Sequence, residues 1–305
     1  MMLEASARFA AFLRPRPSSI PTYALSFMRA LFRTYRGLLS AILLTGMVLL
    51  GARETGLAQE RFEFKPDEPL ETDRDSFTPA TTTAGRGWTI IESSYSYIDN
   101  GPRPHTHSYP ELLVRYGMTK RLELRAGWNF EQGGPSNPVS GFEFGDEDFA
   151  IEKEGRMLYG LKYETSEQSG WIPQSSLLVE AFTPTSGPSD TSTINFGEII
   201  GWTLPNGWQW DTAIRYGTAS LQSKHFDQWA PSTVLRMPVG TRWTAHVEYF
   251  GIYSSGREHE FTTHFVSFGP HFLLTRNIEI GVRVGFGLNE QSARFFSNAG
   301  VGWRF

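Results

Sequence analysis

Acidic and basic residues stand two or four positions apart within otherwise apolar segments of this chain: Glu123 and Arg125, Asp211 and Arg215, Glu279 and Arg283. Arg115, Lys162, Glu180, Arg236 and Glu248 occupy similar settings. Gathered around one passage, such charges would set the charge selectivity of a conduit, or fill a narrow interior with ion pairs. Glu123/Arg125 and Glu279/Arg283 read as bracing pairs, and the others stay open between the two roles.

The histidines offer weaker chemistry. His105 and His107 flank Thr106, a spacing that aims both rings the same way on an extended segment, and Glu258, His259 and Glu260 form a second group. Imidazole with carboxylate suits zinc or copper. No second short-spaced histidine pair supports a site, so solvated loops are the better reading and neither metal nor cofactor is expected. His246 and Glu248 share a strand face and fit an acid–base pair, although a hydrogen-bonded pair is commoner. Asp146, Glu147, Asp148, Glu152 and Glu154 lie among Phe142, Phe144 and Phe149 in the segment 141–155. The carboxylates lack EF-hand spacing, and the phenylalanines suit a constriction or a greasy capture site. Phosphate-binding loops, dinucleotide fingerprints and nucleophile elbows are absent, so no enzyme is expected.

These residues sit on elements of period two. In 121–131, Leu122, Leu124, Ala126, Trp128 and Phe130 share one face, while Arg121, Glu123, Arg125, Asn129 and Glu131 share the other. The segments 208–217 and 277–288 alternate the same way. Weaker versions recur at 87–97, 108–117, 155–164, 175–183, 193–203, 228–237, 242–252, 263–273 and 294–305. This predicts about twelve strands, between the eight whose interior side chains fill and the sixteen or more that leave a water channel. Tight turns at 117–120, 205–207, 238–241 and 275–277 alternate with longer loops at 98–107, 132–153, 184–192, 218–227, 253–262 and 289–293. Short turns on one side and long loops on the other are the layout of an outer-membrane barrel.

Composition fits that fold class. A mean hydropathy of -0.31, with one short apolar run, excludes a bundle of membrane helices. No cysteine among the 305 residues excludes disulfide scaffolds and thiolate sites. Twenty-eight basic against 32 acidic residues, with no basic patch in the main body, give no footing for nucleic acid. Residues 1–58 read as a signal peptide: basic residues, the apolar run 38–50, then Gly56-Leu57-Ala58, with Met28 an equally good start. That segment holds seven Arg and two Glu, so without it the chain carries 21 basic and 30 acidic residues, a formal charge of -9. Residues 59–85 are polar and aperiodic, an extended periplasmic arm. Asp73, Arg74 and Asp75 within it are candidates to plug the barrel mouth by pairing with lumen charges.

Aromatics collect beside the turns (Tyr116, Trp202, Trp208, Trp243, Trp303) and beside the loops (Tyr97, Tyr109, Trp128, Phe130, Tyr216, Trp229, Tyr249). Two girdles are what a bilayer with two interfaces selects. The last segment places Val301, Trp303 and Phe305 on one face. Trp303 and Phe305 are the candidate signal for the barrel-insertion machinery.

The stretch Thr72-Asp73-Arg74-Asp75-Ser76-Phe77-Thr78, then Gly87, Glu92 and the hairpin from Glu111 to Arg125, resembles the outer-membrane transporter family named after the MetA pathway of phenol degradation. The resemblance covers most of residues 70–305, and its hairpin is fairly specific. Asp75 stands where the family usually has Pro. The resemblance implies an exported β-barrel carrying small organic compounds, and it carries over no catalytic residue.

The sequence is therefore read as all-β. A signal peptide (1–58) and an arm (59–85) precede a transmembrane antiparallel up-and-down barrel (86–305) in the outer membrane of a Gram-negative-type bacterium. The expected function is passive passage of small, hydrophobic or aromatic solutes, with outer-membrane lipid as the surroundings. The rival readings are a barrel enzyme of lipase or protease type, which needs His246 or His264 beside a serine or carboxylate at a rim, and a sealed structural barrel.

Overall fold

The computed structural model describes residues 70–305 apart from 136, 141–152, 190, 222–223 and 257–259. The segment expected to be a signal peptide, the first part of the arm, most of the carboxylate- and phenylalanine-rich loop, and Glu258-His259 lie outside the described residues. Thirteen strands follow in order: β1 (Thr89–Asp99), β2 (Thr106–Ser108), β3 (Leu112–Gly117), β4 (Leu122–Gly133), β5 (Lys153–Ser166), β6 (Gln174–Ser186), β7 (Thr193–Thr203), β8 (Gln209–Leu221), β9 (Lys224–Val239), β10 (Trp243–Ser255), β11 (Thr262–Thr275), β12 (Ile278–Gly287) and β13 (Phe295–Arg304). All pairings between these strands are antiparallel, and β1 pairs with β13 from Ile90↔Arg304 to Asp99↔Phe295, which closes the sheet.

β2 and β3 are two halves of one barrel strand, since both pair with β1 and with β4. Pro110 between them has no N–H to give the ladder. Single bonds from Tyr109 N to Phe130 O (2.8 Å) and from Glu111 N to Ser94 O (2.9 Å) carry the strand across the break. The wall is thus a twelve-stranded closed barrel.

The alternation is inverted relative to a water-soluble sheet. Leu124 is 42% exposed on the outside, while Glu123 and Arg125 are buried within. On β8, Ile214 is 50% exposed and Arg215 only 1%. On β12, Ile280, Val282 and Phe286 face out and Arg283 faces in. An apolar exterior around a charged interior is stable only where the exterior meets hydrocarbon. Tyr116, Trp208, Trp243 and Trp303 are exposed beside the turns, and Tyr95, Tyr109 and Tyr249 are exposed toward the loops.

One loop expectation needs correcting. The segment 218–227 is mostly ladder, because β8 runs to Leu221 and β9 starts at Lys224, with those two residues paired. Hairpins continue past the lipid zone, where outward side chains need not be apolar. No apolar alternation marks that part of a strand.

Candidate functional site

The charged lumen is filled from the turn end by the arm. Residues 70–84 enter beside β13, where Thr72 packs against Gly302, reach an apex near Phe77 and Thr78, and return to the turns, where Thr83 Oγ1 donates to Lys120 O (2.9 Å). The chain leaves through Gly85 and Gly87, both at positive φ. A Cβ on Gly117 would lie 1.7 Å from Gly85 O, so only glycine lets the arm pass the wall there. Asp73, Arg74, Phe77 and Thr78 are all buried.

This arm has no ladder of its own, so its buried amides need acceptors. Wall carboxylates supply them. Glu92 accepts from Asp73 N (2.8 Å) and Arg74 N (2.9 Å). Glu248 accepts from Phe77 N (3.1 Å), Thr78 N (2.7 Å) and Thr78 Oγ1 (2.8 Å). Glu123 accepts from Ala84 N (2.7 Å). Cations reach the arm's carbonyls in turn: Arg215 donates to Phe77 O (3.0 Å), Lys162 to Ala80 O (3.0 Å) and Thr82 O (3.1 Å), and Arg115 to Glu71 O (3.0 Å).

Asp73 is the electrostatic centre. Its Oδ2 pairs with Arg125 Nη1 (2.6 Å) and Lys162 Nζ (2.8 Å) and lies 3.7 Å from Arg115 Nε, while Oδ1 accepts from Ala80 N (3.0 Å). Arg115 also pairs with Glu92 (3.0 Å) and Glu123 (3.0 Å), and Arg125 with Glu123 (2.8 Å) and Glu180 (2.7 Å). Asp75 lies 3.8 Å from Arg236, whose closer partner is Asp211 (2.6 Å). Arg74 donates to Leu112 O (3.2 Å).

Burial alone would raise the Asp73 carboxyl, but Arg115, Lys162 and Arg125 outweigh it and hold the group well below the ordinary carboxylate range. Its contribution to stability is therefore complete above the unfolded value of about 3.9 and fades as pH falls through the lower folded value. The stability advantage of the wild type over Asp73→Asn should stay flat from pH 8 to pH 5 and shrink only below about pH 4. Melting both proteins across that range checks it; an advantage already halved at pH 6 would contradict the assignment.

Toward the loops the lumen turns apolar. Phe77, Ile98, Val139, Ala230, Phe250, Ile252, Phe265 and Phe296 form one buried cluster. Phe77 stacks on Phe250 (4.2 Å, 11°), with the Arg215 guanidinium 4.1 Å over its ring. Asn137 tucks in from the loop end, donating to Glu131 (2.9 Å) and Glu111 (2.7 Å).

Several expected pairings differ. Glu123 and Arg125 do pair, but Glu279 and Arg283 do not meet each other. Thr72 Oγ1 donates to Glu279 (2.8 Å), and Arg283 pairs with Glu248 (3.1 Å). Residues four apart on a strand share a face but stand too far apart for a direct contact, so the partners come from elsewhere. His246 likewise meets His271 (2.5 Å) rather than Glu248. His105 and His107 stay at the loop end, His105 near Asp99 (3.5 Å) and His107 on Tyr95 OH (2.7 Å). The His264 ring contacts Tyr249 OH (2.7 Å), whereas the Ser292 hydroxyl bonds the backbone N and O of His264 and not its ring. Glu92, Glu111, Ser76 and His271 were missed as site residues. Glu92 could have been found, because it precedes Ser94 and Ser96 on the polar face of β1.

A closed antiparallel barrel with lipid-facing apolar residues and a charged interior is an outer-membrane β-barrel, and its place is the outer membrane of a Gram-negative-type bacterium. More narrowly, residues 72–305 match the family described as "Putative MetA-pathway of phenol degradation", and the chain belongs to that family. The fold is similar to that of the COG4313 outer membrane channel from Pseudomonas putida F1, at 13% identity and a TM-score of 0.52, covering 77% of this chain and 100% of that one. The NanC porin (8% identity, TM-score 0.47, 70% and 98% covered) and the KdgM porin in complex with disordered oligogalacturonate (13%, 0.42, 71% and 99%) are more distant likenesses. No curated protein sequence matches the chain.

Proposed function

We propose that the protein, exported by its signal peptide and inserted through its Trp303/Phe305 terminus, is a channel for small solutes. The arm 70–84 acts as its plug. The observation that carries this reading is the set of lumen carboxylates that bind arm amides: Glu92, Glu123 and Glu248 hold the arm by its backbone. An interior built only as a brace would pair its charges with one another and leave no acceptors for a separate segment. With the arm withdrawn, Arg115, Arg125, Arg215, Arg236, Arg283, Glu279 and Asp211 would line a wet passage and set its charge selectivity.

Flat aromatic compounds are the proposed solute class. The slot between the Phe250 ring and the Arg215 guanidinium holds the arm's own Phe77, and a solute ring fits it by the same stacking and cation–π attraction. The enzyme reading loses support, because the His264 ring lies against Tyr249 and the described contacts of His246 are with His271. Single-channel conductance of refolded residues 59–305 in a planar bilayer, repeated without 59–85, tests the proposal. Discrete steps that grow on deletion are expected. Silence from both proteins, with heat-modifiable gel migration proving that each is folded, would leave a sealed scaffold.

A further inference from the structure

Asp75 of the arm, His271 of β11 and Glu279 of β12 each bring a ligand atom to one place, all within 4.8 Å of one another. Asp75 divides its two oxygens. Oδ1 is the one turned to Ser76 Oγ (3.4 Å) and Arg236 (3.8 Å), and Oδ2 faces His271 Nδ1 at 3.5 Å. Glu279 is oriented by Thr72 Oγ1, which donates to Oε1 (2.8 Å). Beside the three lies a cavity of ≈ 20 Å³, room for a water-sized occupant.

The ring of His271 carries the argument. It is 2% exposed, and its buried Nδ1 has no hydrogen-bond partner. A proton on Nδ1 would sit too far from Asp75 Oδ2 for a good hydrogen bond. A lone pair there would face two carboxylates with nothing positive between them. A buried polar atom in either condition is costly. A divalent cation resolves both, accepting the Nδ1 lone pair and one oxygen from each carboxylate.

The ring's other nitrogen is already arranged for this. Nε2 lies 2.5 Å from His246 Nδ1, so His271 can donate its Nε2–H to a neighbour, as metal-bound histidines ordinarily do. Of the cations around the site, Arg236 is engaged by Asp211 at 2.6 Å, Arg283 by Glu248 at 3.1 Å, and Arg74 donates to Leu112 O at 3.2 Å, which leaves Oδ2 of Asp75 free to ligate.

We propose that Asp75, His271 and Glu279 form a binding site for a zinc-class divalent cation. One imidazole and two carboxylates match the donors of zinc sites that keep a position for water, whereas calcium and magnesium prefer all-oxygen shells. The site stands on this geometry alone. Its consequence, that the cation pins the arm to the wall, rests on the channel reading.

Zinc titrated calorimetrically into the metal-stripped full chain, folded in detergent, tests the site. One zinc per chain is expected, with at least tenfold weaker binding in His271→Gln and in Glu279→Gln; the second variant serves if the first does not fold. Cobalt in place of zinc should give a visible absorption band that Asp75→Asn removes. Equal zinc affinity in wild type and in a folded Glu279→Gln variant would overturn the site. So would loss of binding in His105→Gln/His107→Gln, which would assign the zinc to the loop end. Zinc bound at the site without any change in arm-dependent conductance would overturn the pinning and leave the site standing.

Discussion

Asp73→Asn is expected to release the arm. The substitution keeps the size of the side chain but removes the charge shared by Arg125 and Lys162. Arg125 would keep Glu123 and Glu180, and Arg115 would keep Glu92 and Glu123. Lys162 would keep carbonyls as its close partners, with its cross-strand neighbour Glu123 acting only at longer range, since Asp73 is its one carboxylate within ion-pair distance among the described residues. A buried cation stranded this way costs about 3–5 kcal/mol. That cost shifts the ratio of seated to released arm by a factor of about 10² to 10⁴. In a planar bilayer the variant should open in large steps that the wild type shows rarely, and its melting midpoint should fall. Conductance and midpoint both equal to wild type would refute the seating role of Asp73.

The second large effect is a lock. A Cβ built on Gly302 would lie 3.7 Å from Thr72 Cβ, within the range of about 3.5–4.5 Å that a disulfide spans. The chain has no cysteine of its own, so a Thr72→Cys/Gly302→Cys pair has no competitor. Built into the Asp73→Asn protein, the oxidised pair should hold the arm in the lumen and abolish the large steps, and reductant should restore them. Large steps that persist when gel mobility shows complete cross-linking would mean that the passage does not run where the arm lies.

Much of this fold is legible in the residues, and the reason is physical. Leu122 to Glu131 alternates because one side meets lipid and the other meets charge, a contrast strong enough to read without coordinates. The chemistry of the lumen is less legible, because many contacts there join segments remote in the chain. Glu248 looks like a lone acid beside His246, yet it serves Phe77, Thr78, Ser267 and Arg283. Glu279 and Arg283 look paired by spacing, but Glu279 is met by Thr72 of the arm and Arg283 by Glu248 two strands away. The arm is the extreme case. Many of its contacts run through its backbone, which carries no sequence signature, while the charges of Asp73, Arg74 and Asp75 advertise a partner. His271 carried no signal at all, because the residues that converge on it come from another strand and from the arm.

The way the arm is held also dictates the order in which the molecule can be assembled. Its partners are spread over Glu92 on β1, Arg115 on β3, Lys162 on β5, Asp211 on β8, Arg236 on β9, Glu248 on β10 and Glu279 on β12. No single hairpin offers more than a fraction of that surface, so the segment made before all the strands has nothing to bind until the last of them is in place. Bringing β1 to β13 closes the longest loop in the chain, at an entropic cost that local hairpins avoid. Until then the interior charges are bathed in water, and drying them is the final act of folding. A nascent barrel of this design therefore passes through an open, hydrated stage, and the first residues to leave the export machinery are among the last to find their seats.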